Sequence, residues 1–306
     1  MRILVTGSSG YVGSWLVPKL LADGHEVIGC DSDWFGSAPV DNPRFTFHNL
    51  SVRHLIGVKG AYDVDCAIYL ASLSNNAMCE KYYQLWMDDR ITALDFARNA
   101  KKIPLVIYAS SVAAYGSTET DATEDMPLRP TTRYGICKKD SELAMLSIGA
   151  CVVRSASVCG RSANMRFDTT INKMTHDAVR HGRIVVNGGA QKRCHVTLDD
   201  LCDFYRLLLT TKERIKGEAF NVVADNQAVV YSASIVADAT NIAREFGQPT
   251  DNRSYTVSGI KAKDVLGFEP KHSIKDAVQT MATLLKGGYW PDSEKPRYWR
   301  MNDDQA

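Results

Sequence analysis

Arg2-Ile3-Leu4-Val5-Thr6-Gly7-Ser8-Ser9-Gly10-Tyr11-Val12-Gly13 is the stretch that decides the fold. Ile3 to Val5 is a short apolar run closed by Thr6-Gly7, which reads as a buried strand. From Tyr11 to Ala22, apolar residues return at helical spacing, at Val12, Trp15, Leu16 and Leu20, until Gly24 stops them. Three glycines thus lie between a strand and a helix. Gly7 permits a tight turn, Gly10 lets backbone approach a pyrophosphate, and Gly13 lets the helix pack close to the strand. The free N–H groups at the helix start then point at the anion. A glycine triplet alone is weak evidence; the flanking strand and helix give it a context.

Working outward, Glu26 to Cys30 reads as a second strand ending at Asp31. A carboxylate there accepts hydrogen bonds from both adenosine ribose hydroxyls and repels a 2′-phosphate. No Arg or Lys occurs in Ser32-Asp33-Trp34-Phe35-Gly36, so NAD is favoured over NADP. Phe45 and Phe47 suggest a third strand, and Cys66 to Leu70 a fourth. Leu105 to Ala109 reads as the fifth and Cys151 to Val153 as the sixth. Helices fit at 80–100 and 132–147. This alternation predicts an α/β fold: a Rossmann-like, doubly wound parallel sheet.

Beyond residue 160 the regularity weakens. Phe167 to Arg180 reads as a helix, Ile184 to Val186 as a strand, Asp199 to Leu209 as a helix and Ala219 to Val223 as a strand. Further helices are expected near 233–246 and 273–286. The expected organisation is a cofactor domain over 1–160, rejoined near 196–223, with 161–306 mainly a smaller C-terminal substrate lobe. The last twenty residues read as a partly ordered tail.

A formal net charge of +1 supplies no global field for nucleic acid or a membrane surface, so any anion site must be local. No apolar stretch approaches the roughly 20 residues of a membrane helix, and the amino terminus lacks the pattern of a signal peptide. None of the eight cysteines stands two to four residues from another. They read as small buried residues in a reduced cytoplasm, and no metal site is expected.

Tyr134-Gly135-Ile136-Cys137-Lys138 opens a helix, and spacing of four puts Tyr134 and Lys138 on one face. An ammonium beside a phenol favours phenolate. Such a tyrosine can take a proton from a sugar hydroxyl as hydride leaves for a nicotinamide. Tyr108-Ala109-Ser110-Ser111 follows the fifth strand, where a hydroxyl could share the substrate proton. Cys79 could border the substrate but has no evident activating cation, so it reads as packing. His195 reads as a strand residue.

Together these residues resemble the extended short-chain dehydrogenase/reductase family, in particular its NAD-dependent nucleotide-sugar epimerases and dehydratases. The resemblance spans nearly the whole chain. It rests on Thr6 to Gly13, Asp31, Leu70-Ala71-Ser72, Ser110-Ser111 through Tyr115-Gly116, and Tyr134 to Lys138. Arg154 to Gly160 is similar to the family's Arg-x-x-Asn-x-Tyr-Gly segment, with Ser157 and Cys159 at its asparagine and tyrosine. Arg193 to Leu201 is similar to its Arg-Asp-Phe-Ile-His-Val-Asp-Asp-Leu segment, and Gly160 to Asp168 to a Ser-Pro-Arg-Met-Arg-x-Asp branch.

The resemblance implies catalysis by Ser111, Tyr134 and Lys138. Cofactor contacts are expected from Gly7, Gly10, Tyr11, Val12, Gly13, Asp31, Leu70, Ala71, Ser72, Tyr134 and Lys138. Substrate contacts are implied for Ser111, Ser157, Asn172, Arg193 and Arg253, with Arg193 meeting the substrate's diphosphate. A homodimer through the helices at 80–100 and 132–147 is implied as well.

Where sugar dehydratases carry an acidic pair after the catalytic hydroxyl, this chain has Val112 and Ala113, which transfer no protons. The expected reaction is therefore NAD-dependent 4-epimerisation of a nucleotide sugar. A 4-dehydrogenase or 4-ketosugar reductase is the alternative, because every route uses the same three side chains. A non-catalytic nucleotide sensor need not keep all three.

Overall fold

The computed structural model describes residues 1–37, 40–248 and 254–300. Its strands are β1 (Arg2–Thr6), β2 (Glu26–Asp31), β3 (Phe45–Asn49), β4 (Cys66–Tyr69), β5 (Leu105–Ser111), β6 (Cys151–Ser155), β7 (Ser157–Cys159), β8 (Ile184–Asn187), β9 (Lys192–Thr197), β10 (Ala219–Val222), β11 (Asp225–Ala228) and β12 (Arg244–Gly247). Its helices are α1 (Gly13–Ala22), α2 (Asn76–Lys81), α3 (Tyr83–Asn99), α4 (Arg133–Leu146), α5 (Thr170–His181), α6 (Leu198–Thr210), α7 (Val229–Thr240), α8 (Ile260–Leu266) and α9 (Ile274–Lys286).

Seven parallel strands form the central sheet in the order β3-β2-β1-β4-β5-β6-β10. The apolar runs that signalled these strands are buried because helices cover both faces. Ile3, Val5 and Ile68 belong to a core with α1 and α6; Leu4, Ala67 and Tyr69 face the opposite core with α3. The chain runs outward from β1 to β3, then crosses to β4 on the other side. That reversal opens a crevice beyond the carboxyl ends of β1 and β4, where α/β sheets bind ligands.

α6 returns to the first layer. Trp15 Nε1 donates to Asp199 Oδ1 at 2.8 Å, and Arg206 holds Asp23 at 2.6 and 2.7 Å. β10 then completes the sheet beside β6. A small sheet of β7, β9 and β11 and a two-stranded pair of β8 with β12 build the remainder with α5, α7 and α9.

Three expectations change. The helix expected over 80–100 is two, broken at Tyr82, whose φ of −115° and ψ of 81° are not helical. The helix expected at 233–246 starts earlier and ends at Asn241, which is left-handed and donates its N–H to Ala237 O; residues 244–247 then pair with β8 as a strand. The tail is packed as far as it is described. Phe167 meets the rings of Trp290, Tyr298 and Trp299, and Phe167 N donates to Tyr298 O at 2.7 Å.

Candidate active site

Two adjoining cavities of about 350 and 390 Å³ follow the crevice and share Gly7, Leu70, Asn75 and Arg300 in their walls. Gly7 sits at φ +72°, and a Cβ there would lie 2.7 Å from Ala71 N. A Cβ on Gly13 would collide with the Gly7 carbonyl. Bare backbone is therefore required on both sides of the turn. Val12, at the start of α1, offers no side-chain cap, and Val12 and Gly13 line the second cavity. Gly10 lies within the turn, its N–H on Gly7 O at 3.1 Å. This is a helix start open to an anion.

Asp31 closes β2 in the wall of the first cavity. Its carboxylate accepts from Ser9 N at 3.0 Å and Asp33 N at 2.9 Å, which fixes it at the cavity's edge. Burial pushes the Asp31 carboxyl above its ordinary range, and these two N–H groups oppose that. Leu70, Ala71 and Ser72 line the same cavity from the end of β4. These walls suit a dinucleotide: backbone for a pyrophosphate and a carboxylate for a ribose.

The second cavity gathers Ser111, Tyr134, Lys138 and Ser157 with Tyr11, Val12 and Gly13. Thr132 caps α4 by accepting from Gly135 N at 3.2 Å, so the helix presents Tyr134 within its first turn. Lys138 Nζ lies one turn on, 5.8 Å from the Tyr134 ring centroid, and donates to Ala109 O at 2.9 Å. Ser111 Oγ accepts from Ala113 N at 3.2 Å, which leaves its own proton to donate elsewhere. The Tyr134 hydroxyl makes no hydrogen bond among the described residues. Val112 and Ala113 line this cavity too, with no titratable group at either position.

A buried network holds these elements. Glu142, one turn beyond Lys138, accepts from Ser110 Oγ at 2.7 Å and from Arg154 at 2.6 and 3.0 Å. Arg154 also donates to Tyr115 Oη at 2.6 Å, and Tyr115 to Asn221 Oδ1 at 2.8 Å. α4, the end of β5, β6 and β10 are thereby tied together behind the cavity.

Other expected residues lie differently. Asn172 is fully buried and spends its amide on Gly160 N, Tyr11 Oη and Arg166 O. It orients Tyr11 and the loop after β7 instead of facing the cavity. Arg193 is outside the cavity wall; its guanidinium lies 4.8 Å from the ring of Tyr255, which is in the wall. Arg253 lies outside the described residues. Cys79 packs with Trp86 and Cys137, and burial pushes its thiol up to about 12. His195 is a buried β9 residue whose pKa burial lowers to about 4.

Arg300 is the residue that sequence reasoning missed. It is 4% exposed, lines both cavities, and is held at φ +50°. Its guanidinium lies 4.2 Å from the Phe35 ring and donates to Asn164 Oδ1 at 3.2 Å. Asn75 Nδ2 donates to Arg300 O at 3.0 Å and to Asp168 Oδ2 at 3.2 Å, while Asp168 is already held by both forks of Arg166. Arg300 has no carboxylate of its own among the described residues. Burial, then the charge of Arg166, lowers its pKa to about 9. The signal for it was the aromatic density of the tail, which marks a segment that packs.

Comparison with known proteins matches this arrangement to one family. UDP-glucose 4-epimerase of Lactobacillus helveticus is 26% identical, across 97% of this chain and 99% of that protein. UDP-glucose 4-epimerase of Corynebacterium glutamicum is also 26% identical, across 89% and 92%. The fold is shared with dTDP-glucose 4,6-dehydratase of Streptomyces venezuelae, solved with NAD, at a TM-score of 0.85 and 23% identity over 96% of this chain and all of that one. The pattern of the NAD dependent epimerase/dehydratase family runs from residue 3 to residue 223, from the first strand through the last strand of the central sheet, and the chain belongs to that family.

Proposed function

We propose that this chain is an NAD-dependent 4-epimerase of a nucleotide-linked sugar. The observation that carries the reading is the convergence of Ser111, Tyr134 and Lys138 on one cavity with the glycine turn. NAD, when bound, supplies the hydride acceptor at the sugar's C4 and returns hydride to it. Tyr134 Oη takes the proton of the 4-hydroxyl and later gives it back. Lys138 stabilises the phenolate, and Ser111 donates to the reacting oxygen. The resulting 4-keto sugar turns over in the cavity, and reduction of its other face inverts C4. Val112 and Ala113 offer no acid or base for dehydration.

A UDP-hexose is the first substrate to test, because the relatives aligned nearly end to end are UDP-glucose 4-epimerases. Incubation with UDP-glucose and NAD is expected to yield UDP-galactose without net NADH. Stoichiometric NADH with an accumulating oxidised sugar would identify a dehydrogenase instead. The reading includes a cytoplasmic location and a homodimer through α3 and α4, whose outer faces expose Ile91, Ile136 and Leu143.

Asp31 holds the adenosine ribose in this reading. Asp31→Ala is expected to weaken NAD by about 10- to 100-fold, from hydrogen bonds to a charged group worth about 1.5–3 kcal/mol, and NADP much less. Equal losses in a binding titration would reject the assignment.

Arg300 neutralises the dinucleotide's pyrophosphate in this reading, since a buried cation with no ion pair among the described residues shares the cavity walls with the glycine turn. Arg300→Ala should weaken both NAD and ADP by at least about tenfold, while leaving adenosine unchanged. Calorimetry with the three ligands separates the pyrophosphate from the base and ribose; a matching loss for adenosine would refute the role.

A further inference from the structure

We propose that His176, His181 and Glu294 form a divalent metal site that fastens the C-terminal segment to α5. None of the three lines the cavities described above, and the proposal stands apart from the catalytic reading. His176 is fully buried on α5, its ring 4.6 Å from that of Phe167 and 5.0 Å from that of Trp299. Its Nε2 is buried and makes no hydrogen bond among the described residues, although Glu294 Oε1 is 3.3 Å away. The carboxylate is near enough but wrongly directed to accept a proton. The Nε2 of His181, the last residue of α5, lies 3.4 Å from the same oxygen.

These separations suit a shared ion. Zinc bonds of about 2.0–2.1 Å to nitrogen and oxygen place tetrahedral neighbours roughly 3.3–3.4 Å apart. All three ligand atoms lie within 4.8 Å of one another, and His181 is exposed enough to swing inward and close the set. The other ring nitrogen of His176, Nδ1, is 3.5 Å from Asp177 Oδ1. A carboxylate on the far nitrogen fixes the tautomer that a metal-bound imidazole needs. Two imidazoles and one carboxylate select zinc over calcium or magnesium, which want oxygen ligands. The exposed sides of His181 and Glu294 leave the fourth position to water.

The sequence carries no metal-ligand signature here. His176 and His181 are five residues apart, and Glu294 comes more than a hundred residues later. The fold brings it back through the packed tail, where Arg180 also donates to Trp290 O at 2.9 Å. Glu294 is only six residues before Arg300, so an ion here would anchor the segment that reaches the crevice.

Full-length protein stripped with EDTA and dialysed against Zn²⁺ tests the proposal by bound zinc per chain and by Tm. One zinc per chain and a raised Tm are expected. His181→Ala and Glu294→Gln, both exposed and so compatible with folding, should each weaken zinc by at least about tenfold. Absence of saturable uptake would overturn the site. So would wild-type uptake in the double variant, which would assign the zinc to other ligands.

Discussion

Tyr134→Phe is expected to lower kcat by about 10²- to 10⁴-fold, the range a positioned general acid–base group contributes. The substitution removes one oxygen and leaves the ring, which packs beside Cys79, Trp86 and Cys137. Stability should therefore change little. Cofactor affinity should hold too, because Asp31 and the glycine turn are untouched. The hydroxyl has no partner among the described residues, so nothing in the resting protein is left unsatisfied by its loss. The loss should consequently fall on kcat with Kd for NAD preserved, as for an interaction made only during reaction. Retained turnover would remove Tyr134 from the mechanism. Loss of NAD binding in parallel would mean that the hydroxyl holds the cofactor, and the fall in kcat would then not assign it the proton transfer.

The parts of this site legible in the sequence are those whose chemistry is local. Strand, glycine turn and helix follow one another within twenty-two residues, and Asp31 closes the next strand. Tyr134 and Lys138 share a face because a helix repeats every 3.6 residues. Periodicity also marks the strands that the central sheet uses, including β10, which the chain reaches only after a detour. Pairing partners carry no such mark. The segment at 244–247 becomes a strand because β8 lies beside it, after Asn241 has ended α7. The tail becomes ordered because Phe167 supplies a surface for Trp290, Tyr298 and Trp299. Arg300 follows from that packing and from no motif. Asn172 shows the converse: it is expected as a substrate contact, and the structure gives its amide three partners inside the protein.

Glu142 belongs to the same class of residue, invisible as a motif yet placed to hold the chemistry in register. The Glu142 and Arg154 side chains are 0% and 5% exposed and joined at 2.6 Å, so solvent and salt screen the pair little. Glu142→Ala should destabilise the protein by about 3–5 kcal/mol, because it leaves the Arg154 charge buried and uncompensated. Ser110 Oγ would lose its acceptor at the same time. That cost measures the damage of breaking the pair and not the pair's own worth. A double variant, Glu142→Met with Arg154→Met, removes both charges and fills similar volume, so it should recover much of the loss. Its activity should not recover in step. Ser110 precedes Ser111, Arg154 holds Tyr115, and Glu142 lies on the helix that carries Tyr134 and Lys138; all three tethers go with the charges. Urea unfolding of the single and double variants, read beside kcat, separates the two roles. Equal recovery of stability and kcat would reduce the network to packing. Stability regained without kcat would establish that the buried ions position the catalytic groups.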